Sequence, residues 1–231
     1  MCALPGEGPI LVVLDVDSTL IQDEVIELIA DHAGTREEVA AVTEAAMRGE
    51  LDFTGSLHAR VATLAGLPVQ VLEQVRAAVR LTPGARTLVT TLTEAGHVVG
   101  IVSGGFIEVV GPLAEQLGIE TLRANALEVV DGHLTGAVLG EVVDPGTKAD
   151  FLTRLAAAAG VDMDRTVAVG DGANDLQMMA AAQLGVAFCA KHTVREYADV
   201  AIDERDLRHV LDLLGIEPVP QGDDEGGHPL R

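Results

Sequence analysis

Four short apolar runs punctuate the chain: Ile10–Leu14 (ILVVL), His97–Val102 (HVVGIV), Thr166–Val169 (TVAV) and Gly185–Phe188 (GVAF). Short continuous runs rich in β-branched residues predict strands buried on both faces, as in a parallel sheet. Between and after them, apolar positions recur at helical spacing over 84–95, 106–117, 147–159, 174–183 and 204–214. Strands alternating with helices predict an α/β fold with a doubly wound parallel sheet.

Residues 22–80 interrupt that alternation with helical patterns and no strand, punctuated by Pro68 and the Thr82-Pro83-Gly84 turn. A helical insert after the first strand is the simplest account. The expected organisation is a discontinuous core over 1–20 and 81–220, a small helical unit over 21–80, and a polar, Gly- and Asp-rich tail over 221–231 that is expected to be disordered. Two short runs flanking Asp131-Gly132 within Ala126–Val138 predict a hairpin.

Composition narrows the function classes. The 231 residues include 36 Asp and Glu against 15 Lys and Arg, a formal net charge of -21, and five aromatic residues. Phosphate backbones are held by Lys and Arg, and single strands by stacking aromatics, so a nucleic-acid partner is disfavoured. No apolar run approaches the roughly 18 residues that span a bilayer. The N-terminus lacks a basic n-region, and Cys2 and Cys189 form no disulfide framework, so the expected setting is a reduced cytoplasm. The seven histidines show no metal-ligand spacing.

Ligands of open α/β sheets bind beyond the carboxyl ends of the strands, and four unusual clusters fall there. Asp15-Val16-Asp17-Ser18-Thr19 follows the first strand, and in a loop its two carboxylates can turn toward one site. Such a pair suits a metal or an acid/base division of labour, or is a solvated strand end. Ser103-Gly104-Gly105 follows the second run and allows close backbone approach to an anion; an ordinary tight turn is the plainer account. Lys148, one of two lysines, opens a helical pattern where it opposes the macrodipole unless an anion lies beside it. Gly170-Asp171-Gly172-Ala173-Asn174-Asp175 offers oxygen ligands for a hard cation, or an N-cap and first-turn acid.

In this order the clusters resemble the haloacid dehalogenase superfamily over nearly the whole chain to about residue 214, with the helical insert where that family often carries a cap. The strings DVDSTL, GELDF, IVSGGF, the GTK ending at Lys148, and VGDGANDLQM are similar to its phosphoserine phosphatase branch. Val16 stands where many members have an aromatic residue, and no part of the chain matches the N-terminal regulatory domain that some members carry.

The resemblance implies a Mg²⁺-dependent phosphatase hydrolysing O-phospho-L-serine in serine biosynthesis. It implies Asp15 as nucleophile and Asp17 as general acid and base. Mg²⁺ would be held by Asp15, the Asp17 carbonyl and Asp171, with Asp175 in support. Ser103, Gly104, Lys148 and Asn174 would hold phosphate or neighbouring substrate groups. A phosphatase or phosphotransferase acting on another small phosphate ester, and a non-catalytic phosphometabolite sensor, are the alternatives.

Substrate choice is expected from the insert. Leu51–Ala65 reads as a helix with Phe53, Leu57, Val61 and Leu64 apolar, and Arg60, seven residues after Phe53, falls on the same stripe. A guanidinium there needs an anionic partner or water. Glu24 borders the apolar face of Val25, Leu28 and Ile29, whereas Glu27 looks like a surface acid. The resemblance assigns Glu24 to a substrate ammonium and Arg60 to its carboxylate, with Met47 and Phe53 as pocket walls. With so acidic a chain, long-range attraction for such an anion should be weak or adverse, leaving the binding to local contacts.

Overall fold

The computed structural model describes residue 4, residues 7–47 and residues 52–219, with nothing described for the side chains of 44–47. The tail over 221–231 lies outside the described residues. Seven strands form one sheet: β1 (Leu11–Leu14), β2 (Val98–Phe106), β3 (Thr121–Val130), β4 (His133–Leu139), β5 (Thr166–Gly170), β6 (Leu184–Phe188) and β7 (Val200–Ile202), in the order β4-β3-β2-β1-β5-β6-β7. All neighbours are parallel except β3 and β4.

Strand β1 lies at the centre with all four residues fully buried. Val12 and Leu14 face one apolar layer, Leu11 and Val13 the other, which is the two-sided burial that its unbroken apolar run requires. From β1 the chain winds outward through β2 and β3, then returns to the other side for β5, β6 and β7. The crevice at that reversal opens beyond the carboxyl ends of β1 and β5.

The helices of the core are α5 (Ala85–Glu94), α6 (Ile107–Leu117), α7 (Pro145–Ala159), α8 (Leu176–Ala181), α9 (His192–Arg195) and α10 (Arg208–Leu214). Helix α7 is sharply punctuated: Asp144 Oδ1 accepts from the Thr147 N–H at 2.7 Å, Pro145 occupies the first turn, and Gly160 closes it at φ 67°.

Between β1 and α5 lie α1 (Val25–Ala33), α2 (Arg36–Met47), α3 (Phe53–Ala62) and α4 (Val71–Ala78). The two connections to this helical unit are zipped together. Ile21 bridges Leu81, the Gln22 N–H donates to the Arg80 carbonyl at 2.9 Å, and Arg80 Nη2 lies 2.6 Å from Asp23 Oδ1. The hairpin β3–β4 grips the same unit from another side. Gly66 N–H donates to the Leu134 carbonyl and Leu134 N–H to the Leu67 carbonyl, both at 2.8 Å.

The structure differs from the sequence expectation in four places. Strand β2 runs on through Ser103-Gly104-Gly105 to Phe106, and its register with β3 shifts between Val102 and Phe106, so the glycine cluster is an irregularity at the strand's end rather than a turn beyond it. Strand β3 begins at Thr121, well before the hairpin, and joins the parallel sheet beside β2. The short β7 and α9 have no counterpart in the apolar pattern. Among the described residues no helix is long and apolar enough to cross a membrane.

Candidate active site

Sheet register assembles the site. Leu14 is level with both Ile101 and Val169, so Asp15, Ser103 and Asp171 lie toward the same end of three neighbouring central strands. Residues 16–20 form a tight turn in which Asp17 is extended (φ -62°, ψ 132°) and Ser18 is left-handed (φ 57°). Residues two apart on a strand share a face, and although the chain leaves β1 in this turn, Asp15 and Asp17 both still line the site. Asp17 Oδ1 accepts from the Val25 N–H at 2.8 Å, and Oδ2 from the Ser103 hydroxyl at 3.3 Å.

Lys148 reaches in from the first turn of α7. It is 0% exposed, and its Nζ donates to Asp15 Oδ1 and, at 2.7 Å, to Asp175 Oδ1. These two carboxylates resolve the unfavourable placement of a cation near a helix N-terminus. Burial works to lower the Lys148 pKa, but the charges of Asp15 and Asp175 more than reverse it, leaving it above the ordinary lysine value. Asp175 folds back beneath β5, and its Oδ2 accepts from the Gly172 N–H at 3.0 Å. A Cβ on Gly170 would collide with that carboxylate.

Asp15, Asp171 and Asp175 bring carboxylate oxygens within 4.8 Å of one another. Burial raises Asp15 well above the usual carboxylate range, against the pull of Lys148. Burial, then repulsion from Asp175 and Glu24, pushes Asp171 up to about 7. Burial, then Glu24, does the same to Asp17, also to about 7. A single lysine does not offset this many acids, whereas a hard divalent cation does, and carboxylate oxygens are the donors such cations take. The residues present therefore fit a hard metal ion.

A cavity of about 720 Å³ opens over these groups, lined by Asp15, Asp17, Glu24, Phe53, Ser56, Arg60, Gly104, Asp171 and Asn174, among others. Glu24 Oε1 accepts the Ser18 hydroxyl at 2.7 Å, and Arg205 Nη1 donates to the Ser18 carbonyl at 3.0 Å. Burial raises the Glu24 pKa in spite of that hydrogen bond. Arg60 Nε donates to the Ser56 carbonyl at 3.2 Å. Burial lowers the Arg60 pKa, and Glu24 opposes this. Among the described residues Arg60 makes no ion pair, so its guanidinium faces the cavity without a committed acid. Glu27 instead pairs with Arg36 at 3.0 Å on the surface.

Phe53 closes the wall against the core: a Cβ on Gly104 would sit 3.4 Å from Phe53 Cζ. Met47 ends α2, and its side chain lies outside the described part of the structure. Ser103, Lys148 and Asp175 are fully buried and lie beneath the cavity rather than on its wall.

Three further polar residues complete the site; Asn125 and Ser56 belong to no motif in the sequence, whereas Thr19 closes the first acidic cluster. Asn125, almost fully buried, donates to the Gly104 carbonyl and accepts from the Val143 N–H, both at 2.8 Å. Thr19 donates to Asp171 Oδ1 at 3.4 Å. Ser56 lines the cavity from α3.

A central parallel sheet with acids at the ends of β1 and β5, serine at the end of β2 and a buried lysine defines a class. A family model for haloacid dehalogenase-like hydrolases matches residues 12–180, and the chain belongs to that family. A phosphoserine phosphatase of Streptomyces coelicolor is 65% identical over 206 residues, 89% of this chain and 50% of that protein. One from Streptococcus thermophilus is 51% identical over 204 residues, 88% of this chain and 95% of the relative. A solved phospho-aspartyl intermediate analogue of phosphoserine phosphatase superposes with a TM-score of 0.84 at 43% identity, covering 89% of this chain and 99% of the other. The chain spans about half the length of the Streptomyces coelicolor relative.

Proposed function

We propose that this chain is a phosphoserine phosphatase, hydrolysing O-phospho-L-serine to L-serine and phosphate. The observation that carries this is one cavity lined both by Asp15 and Asp17 and by two groups of opposite charge, Glu24 and Arg60. The first pair suits phosphoryl transfer; the second suits the ammonium and carboxylate of an amino acid. In this proposal residues 21–80 act as a cap that selects the substrate, and residues 1–20 with 81–220 form the core that performs the chemistry.

Asp15 attacks phosphorus and becomes an aspartyl-phosphate as the bond to the serine oxygen breaks. Asp17 gives its proton to that departing oxygen, then takes one from the water that attacks the aspartyl-phosphate, so one carboxyl serves both halves. Burial and the neighbouring Glu24 raise the Asp17 carboxyl above the usual carboxylate range, which favours the protonated form it needs as the acid. Lys148 keeps Asp15 oriented from below. Ser103 orients Asp17, and Gly104 and Asn174 contact the phosphate or adjoining groups. Asp15, Asp171 and the Asp17 carbonyl, with Asp175 in support, would hold Mg²⁺, which supplies positive charge against the phosphoryl oxygens.

The test is phosphate release from O-phospho-L-serine with Mg²⁺. EDTA should abolish it and excess Mg²⁺ restore it. Asp15→Asn should lower kcat by about 10³-fold or more, as loss of a covalent nucleophile does. Full activity in that variant would remove Asp15 from the chemistry.

A further inference from the structure

Ser56 lies on α3 one turn before Arg60, and both line the cavity. It is 2% exposed, and its Oγ has no hydrogen-bond partner among the described residues. A helical hydroxyl usually relieves this by donating to the carbonyl four residues back. Thr43, Thr93 and Thr153 do so here, at 2.9, 2.9 and 3.1 Å. Ser56 does not: the Asp52 carbonyl receives the Ser56 backbone N–H at 2.9 Å, and the hydroxyl is left over. Meanwhile the Ser56 carbonyl holds Arg60 Nε. The residue therefore anchors the guanidinium through its backbone and keeps its hydroxyl uncommitted one turn away.

Leaving a buried hydroxyl unpaired costs about 1–3 kcal/mol. Alanine would fill the same space on a helix with no such cost and with better helix propensity. The other unpartnered hydroxyl and carboxylate oxygens among the described residues, Thr35 Oγ1 and Glu108 Oε2, do not line this cavity. A hydroxyl retained unpaired beside a guanidinium without an acid is suited to a ligand that satisfies both, and a carboxylate does, because its two oxygens accept several hydrogen bonds at once.

We propose that Ser56 is a specificity-determining residue whose hydroxyl donates to the substrate carboxylate beside Arg60. This rests on the amino-acid phosphate reading given above. Its consequence is a preference for phosphate esters that carry a carboxylate over those that carry only the ammonium group.

The experiment compares O-phospho-L-serine with O-phosphoethanolamine, which keeps the phosphate, the two-carbon spacing and the ammonium but lacks the carboxylate. In Ser56→Ala the ratio of their kcat/KM values should fall about tenfold, the equivalent of one lost hydrogen bond to a charged group. The fall should appear in KM for phosphoserine, and the melting temperature of the free protein should stay level or rise as the unpaired hydroxyl is removed. Ser56→Cys, nearly the same size with a weaker donor, should shift the ratio in the same direction if the alanine variant folds poorly. An unchanged ratio in both variants overturns the proposal, as does a lowered melting temperature with equal losses on both substrates. Wild-type protein that turns over p-nitrophenyl phosphate but not phosphoserine would instead overturn the substrate reading and leave Ser56 without this role.

Discussion

Gly105 has no room for a side chain. A Cβ there would lie 2.7 Å from Asp17 Oδ2 and 3.0 Å from Ser103 Oγ, closer than real Cβ contacts come. Its N–H also donates to Ser103 Oγ at 2.8 Å, so the backbone of β2 fixes the serine that fixes the aspartate. Asp17 has no slack to absorb an intrusion, because Val25 N–H holds its other oxygen. Gly105→Ala should therefore leave the fold intact and displace the Asp17 carboxyl. Since misplacement of a reacting group by about 1 Å costs on the order of 10²-fold, kcat should fall by about 10–100-fold while circular dichroism stays unchanged. Wild-type kcat in Gly105→Ala would mean that proton transfer does not depend on Asp17 at this position. At this scale the sequence was most informative where function demands unusual residues. Asp15, Asp17 and Asp171 follow strand ends, Ser103 lies in the irregular last part of β2, and Lys148 begins a helix, which brings the five into one neighbourhood. Ser56 and Asn125 were illegible, because one serine in a helix and one asparagine in a half-polar strand look like hundreds of others until their partners are known.

Helix α7 shows how an element positions a residue it would otherwise disfavour. Lys148 in its first turn is held by two carboxylates from other elements, while Asp144 and Pro145 set where the helix begins. The Thr147 N–H holds the Asp144 carboxyl below the usual carboxylate range. A depressed folded-state pKa stabilises above the unfolded value and loses that contribution as pH falls through the folded one. Asp144→Ala should thus cost about 1 kcal/mol at neutral pH, read as a lower urea midpoint. The gap to wild type should narrow as the medium is acidified below the ordinary carboxylate range. An equal gap at pH 7 and in acid would assign the loss to packing rather than to the charged cap. Legibility varied among elements for a related reason. Strands β1 and β5, buried on both faces, are written as unbroken apolar runs. The first half of β3 is not, because Arg123 turns out to Glu141 and Asn125 is spent on hydrogen bonds to Gly104 and Val143. The three-residue edge strand β7 is too short to show a period.

The whole molecule carries a formal charge of -21, yet the proposed substrate is an anion. Within the site, the five acids Asp15, Asp17, Glu24, Asp171 and Asp175 outnumber the three cations Arg60, Lys148 and Lys191, so even locally the chain's own charges favour a cation before they favour phosphate. A bound divalent ion reverses this over a few ångströms, but it does not cancel the field of the remaining acids at longer range. That separation of scales gives salt an unusual sign. The Debye length shrinks from about 30 Å at 0.01 M to about 8 Å at 0.15 M. Distant repulsion is therefore screened while contacts inside the cavity are largely preserved. At fixed free Mg²⁺, kcat/KM for phosphoserine should rise about threefold from 10 to 150 mM KCl, where enzymes that steer anions with a positive surface lose rate. The melting temperature should rise over the same range, because self-repulsion of the acidic surface weakens with the same screening. Rising stability with falling kcat/KM would locate the dominant field in the cavity's own cations and the bound metal, and would show that the acidic surface is too remote from the cavity mouth to act on an approaching substrate.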